Sequence, residues 1–246
     1  MDLTRTQLAV IILFATAIII LVPTTLRLID PQAAGGPATG GPPGLSPTII
    51  VVGCLSLLGL LGMLIGVGTL LADARNYGQD HLTACIVALL FLILGIGVPI
   101  VAAGGGAYAR SGDVDAYHRT LNISSIGVAL SVLGMVAAPW FLFKPGWRVL
   151  PAVVGIVRAA AGIGELQATR LHSTLAEQTF GNQTVYLPHF DVPLTSGPIY
   201  TWQIVGWAGT VLLAGMWAML LFAADDAMVP HPEKKRRAAA EAPVED

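Results

Sequence analysis

Five long stretches of this chain carry no charged side chain, and that feature restricts its fold more than any other. Crossing the hydrocarbon of a bilayer takes about 20 apolar residues in a helix, because each backbone N–H and C=O must be satisfied within the segment. Residues 48–72, 82–103, 122–143 and 200–224 meet that length, and a shorter apolar segment runs from about Gln7 to Val22, ending at Pro23. Only 11% of the residues are charged and the mean hydropathy is +0.72, whereas soluble domains carry about a quarter charged residues. These features predict an all-α integral membrane protein, a bundle of six transmembrane helices. The number falls to five if the first segment is a cleaved signal peptide or if 149–165 is re-entrant.

Between the spans the composition changes. Residues 1–29 hold the first span, read as an uncleaved anchor because no small-x-small cleavage pattern follows it promptly. Residues 30–47, rich in Gly and Pro, read as a flexible outer loop. Residues 48–224 then form the bundle, with outer loops at 104–121 and 166–199 and a short polar turn at 73–81. Gly95, Gly97 and Pro99 suggest a kink in the third span. Within 166–199, the run to Phe180 is rich in helix formers and Gly181-Asn182 reads as its C-cap, so the fifth helix is expected to continue to Phe180. The segment after it, with Tyr186, Leu187 and Phe190, is extended, either packing back on the bundle or offering a docking surface. Residues 225–246 are charged and read as a disordered cytoplasmic tail.

Charge asymmetry favours 149–165 as a span. With it, the Lys and Arg residues divide eight inside to four outside, Arg158 lying between; without it, the division is seven to six. Cytoplasmic flanks are the basic ones, so both termini are placed in the cytoplasm of a multi-pass cell-membrane protein. Pro151 falls in the first turn of this helix, where its missing N–H costs little.

That span contains the most conspicuous residue of the chain, Arg158, in the middle of an apolar run. A central arginine costs about 2.5–3.5 kcal/mol on insertion scales, so it must face other helices or water. Val154, Gly155, Ala161, Gly162 and Glu165 share its side of the helix, and most of that stripe is small. Glu165 is about 10 Å away along the axis, too far for a simple pair. The guanidinium must therefore find carbonyls, hydroxyls, water, a partner's acid or an anionic ligand. Arg158 and Glu165 are accordingly the residues expected to contact a ligand or partner.

Other patterns are structural. Gly59, Gly62 and Gly66 on the second span, with Gly155 and Gly162 on the fifth, are expected to pack helices closely. Gly206, Thr210 and Ala214 form a similar small stripe on the last span. The two cysteines, Cys54 and Cys85, read as small core side chains. None of the five histidines is central in a span, which argues against haem held between helices, and their spacing fits no metal motif. Asn182-Gln-Thr is a weak glycosylation pattern, and Asn122-Ile-Ser abuts a span. The thirteen basic and fifteen acidic residues nearly cancel, which excludes a nucleic-acid partner on charge grounds.

With no catalytic motif, no enzyme activity, cofactor or metal is expected. The scarcity of polar groups in the spans points first to a non-catalytic subunit or scaffold of a membrane complex. Its partners would be the lipid bilayer and other membrane subunits, or a second copy in a homo-oligomer. The alternative is a small transporter or channel for an anionic or polar solute, built around Arg158.

Overall fold

Residues 4–30, 47–104, 107–180 and 182–229 are described in the computed structural model of the chain. Six helices are long and apolar enough to cross a membrane. They are α1 (Arg5–Ile29), α2 (Pro47–Tyr77), α3 (Gln79–Ala103), α5 (Val114–Trp140), α6 (Val149–Leu171) and α7 (Pro198–Phe222), with short helices α4 (Ala107–Ser111) and α8 (Ala224–Ala227). Each long helix packs on the next, and α7 closes back on α1, so the six form a ring.

Local chemistry sets several element ends. Thr4 caps α1 through a reciprocal capping box with Gln7. Asp113 accepts from the Ala116 N–H at 2.9 Å and caps α5. Gly78, at φ 110°, alone separates α2 from α3. The 73–81 turn expected from polarity is therefore almost wholly helical: its residues complete the ends of two helices. Likewise α1 does not stop at Pro23 but carries it inside the helix. The threonines just beyond it, Thr24 and Thr25, bond back to carbonyls of the preceding turn.

The segment after α6 departs most from expectation. The helix ends at Leu171, and an antiparallel hairpin follows, β1 (Ser173–Phe180) and β2 (Gln183–Phe190), with Ser173 opposite Phe190 and Phe180 opposite Gln183. Helix formers do not carry α6 to Phe180, because strand pairing with 183–190 satisfies the same backbone groups. The all-α expectation gains a small sheet. Tyr186 of β2 lies over Gly112, where φ is +69° and a Cβ would come within 2.8 Å of the ring. Tyr117 bonds Ser173 at 3.1 Å, which ties the hairpin to α5. The expected loop 104–121 is largely helical, formed by α4 and the first turns of α5.

The two ends of the ring differ. The hairpin end holds the C-termini of α1, α3 and α6 and the N-termini of α5 and α7. At the opposite end, Thr6 donates to Asp73 at 2.6 Å, joining the start of α1 to the end of α2. There too Val229 N–H bonds Leu142 C=O and Lys144 N–H bonds Ala227 C=O. Residues 224–229 are thus part of the fold and not of a disordered tail; the remainder of 225–246 and residues 31–46 lie outside the described residues. The buried core is concentrated at this opposite end, in Leu13, Met63, Leu70, Leu92, Phe143, Leu213 and Trp217 among others. The hairpin half is packed differently, and the reason is a cavity.

Candidate functional site

The cavity, of about 300 Å³ and partly open to its surroundings, is lined by α1, α3, α5, α6 and α7. Its lining includes Thr24, Arg27, Gly95, Pro99, Ser131, Arg158, Glu165, Gln203 and Trp207. The packed core adjoins the cavity on the side away from the hairpin. Each polar side chain arrives by helical periodicity. Arg158, Ala161, Gly162 and Glu165 recur at three- and four-residue steps on α6, and Gln203, Gly206 and Thr210 do so on α7.

Arg158 is half-buried, and its stem runs beside Gly209, whose absent Cβ would come 3.1 Å from its Cδ. Its Nη1 donates to the hydroxyl of Thr210, a fully buried residue at the middle of α7. Thr210 in turn donates to the Gly206 carbonyl at 2.9 Å. With that proton committed, the hydroxyl presents lone pairs to the guanidinium, an acceptor set in place without a carboxylate. The Nε of Arg158 is buried and has no partner. Among the described residues no carboxylate forms a salt bridge with Arg158; the single such pair is His172 with Asp191 at 3.3 Å, in the hairpin region.

Nearer the hairpin end, Gln203 donates through Nε2 to Glu165 Oε1 at 3.1 Å. That bond orients the amide and leaves Gln203 Oε1 buried without a partner, on a residue only 8% exposed. The Nε of Arg27 is also buried and unpaired. A buried donor or acceptor left without a partner costs about 1–3 kcal/mol, more when charged. Three such atoms belong to residues that line this cavity, each shielded from solvent as it is placed. Trp207 closes part of the wall and donates to Thr25 at 3.1 Å, linking α7 to α1.

The expected site residues therefore separate into groups. Arg158 and Glu165 share the cavity, but Glu165 is engaged by Gln203 and not by the arginine. Gly59, Gly62 and Gly66 face Ile20, Thr16 and Leu13 of α1, so this glycine face is occupied within the chain. Gly155 and Gly162 face Val136 and Val128 of α5. Asn182 is exposed at the hairpin tip, whereas Asn122 accepts from Gln167 and Arg170. Among the described residues no group of His, Cys, Asp and Glu suited to a metal occurs.

Sequence reasoning missed Arg27, which reads as an ordinary flanking charge, and Gln203. It also took Thr210 only as a small packing residue. A signal for two of these was present: Gln203 and Thr210 are seven apart, on one face of α7, as Arg158 and Glu165 are on α6. Compared with protein-family models, curated proteins and solved structures, the chain matches none. The function is therefore argued from the geometry alone.

Proposed function

We propose that this chain is a multi-pass membrane protein that binds a small anionic solute in an intramembrane cavity and carries it across the bilayer. The observation behind this reading is the state of Arg158: a guanidinium deep in an apolar bundle, facing a cavity, held by a neutral hydroxyl and lacking an acidic partner among the described residues. A purely structural arginine is expected to find a carboxylate or to reach an interface. This one bonds a neutral hydroxyl, and its buried Nε has no partner.

A carrier is favoured over an open channel because the half of the bundle beyond Arg158 is filled by large apolar side chains. Conduction needs a continuous polar path; alternating access needs a site near the midplane reached from one side at a time. The scaffold reading has less support here. It follows from the scarcity of polar groups in the spans, yet one small-residue face through which such a scaffold would act, that of α2, is used by α1.

The test uses protein purified into lipid nanodiscs, with thermal unfolding followed during titration. 4-Methylpentanoate is expected to raise Tm, as a ligand that binds only the folded state does, and its neutral amide is expected not to. Arg158→Met should abolish the shift, and Arg158→Lys should keep part of it, since charge is retained and the planar fork is lost. Uptake of the labelled carboxylate into proteoliposomes should follow the same order. A wild-type protein that neither responds to the carboxylate nor takes it up overturns the proposal.

A further inference from the structure

We propose that the end of α1, residues 24–29, is a hinged gate that swings about Pro23 and is held against the cavity by the bond between Trp207 and Thr25. The gate serves the carrier proposed above, and its test uses no solute, so either can fail without the other.

Backbone chemistry makes the hinge. Proline has no N–H, so the Ile19 carbonyl loses its usual partner at position 23. Thr24 donates its hydroxyl to the Ile20 and Leu21 carbonyls, at 3.1 and 2.9 Å, and Thr25 donates to Leu21 at 2.8 Å. Threonine bonds of this kind bend helices, and they are one of the means by which a proline is tolerated inside a membrane span. The ladder of α1 is therefore weakened at one place, between Ile19 and Thr25.

Packing changes at the same place. As far as Ile20, α1 is seated on the glycine face of α2, with Leu13, Thr16 and Ile20 against Gly66, Gly62 and Gly59. Thr6, Ala9, Val10, Leu13, Thr16 and Ala17 are buried. Beyond Pro23, no residue from 24 to 30 is buried. Both α1 residues that line the cavity, Thr24 and Arg27, belong to this looser piece. A fixed rod thus ends in a movable wall. The tie that holds the wall runs to α7, where Trp207 Nε1 donates to Thr25 Oγ1 at 3.1 Å, and Trp207 is itself part of the lining.

Helix α3 supplies the contrast. It too carries a proline, Pro99, which lines the cavity. Its end, however, is pinned to α5. Pro99 fills the notch at Gly127, where a Cβ would lie 2.5 Å from its Cγ, and the Thr120 hydroxyl reaches the Ala102 carbonyl at 3.2 Å. A proline makes a hinge where the segment beyond it is free to turn, and of these two helices α1 meets that condition.

The experiment reads access to the cavity at Ser131, on the α5 wall. Ser131→Cys is placed in full-length protein carrying Cys54→Ser and Cys85→Ala, and its rate of modification by 2-sulfonatoethyl methanethiosulfonate is measured in nanodiscs. Thr25→Val keeps the shape of the wall and deletes the tie, so the rate is expected to rise about fivefold, as losing one hydrogen bond from the closed state predicts. Pro23→Ala restores the missing N–H and stiffens the hinge, so the rate is expected to fall by a similar factor. Unfolding would speed the reaction in both variants, and only a gate gives opposite signs. A rate that rises in both, stays within about twofold of the parent in either, or is undetectable throughout overturns the gate.

Discussion

Arg158 is held by a threonine hydroxyl whose own proton goes to a backbone carbonyl, and this arrangement predicts what deleting the hydroxyl does. Thr210→Val keeps the shape and strands a guanidinium N–H in a buried place, at a cost of about 1–3 kcal/mol. The double variant Arg158→Met with Thr210→Val should recover much of that loss, because no charge is then left without its partner. Unfolding in mild detergent measures both. Strictly additive costs would show that the hydroxyl does not hold the arginine. Gly209 lies beside the same side chain: a Cβ there would come 3.1 Å from the Arg158 Cδ, so the stem would have to shift by a few tenths of an ångström.

Between helices, glycine decides how close two backbones come. On α2, Gly62 and Gly68 are chemically identical and sit six residues apart, yet their surroundings differ. A Cβ at Gly62 would lie 2.2 Å from Thr16 Oγ1, whereas one at Gly68 has nothing within 4 Å. Gly62→Ala is therefore expected to destabilise the α1–α2 seam by about 1–3 kcal/mol through overpacking. Gly68→Ala should be neutral or slightly stabilising, since alanine favours the helix by up to about 1 kcal/mol. Thermal unfolding of the two single variants checks the contrast, and equal effects would remove the seam argument. The hairpin β1–β2 teaches the converse lesson. Its residues have helix-forming character up to Phe180, but a Gly-Asn pair followed by a run with Thr184, Val185 and Tyr186 is also a two-residue hairpin signal. The register, Phe180 opposite Gln183, selects the second reading.

Across the molecule, the hairpin and the 145–147 turn lie at opposite ends of the ring. If the bundle crosses a membrane as proposed, cysteine placed at 183 and at 146, both exposed positions, must react from opposite sides. In intact cells the first is expected to label with an impermeant maleimide, and the second only after permeabilisation. Labelling of both from one side would remove α6 as a span. Much of this architecture was legible without coordinates. Six helices, their order and the odd position of Arg158 follow from where charges are absent, because a chain that must satisfy its backbone away from water has few alternatives to a helix. Which faces meet was not legible. Small residues on α2, α6 and α7 read alike, yet α2 uses its glycines to seat α1, while the α7 stripe supplies the hydroxyl for Arg158. Arg27 looked like a flanking charge and Gln203 like a lone amide until the ring closed and brought them to one cavity. Hydropathy is a property of each segment and is written along the chain. A cavity is a property of five helices at once, and it exists only where their packing leaves space unfilled.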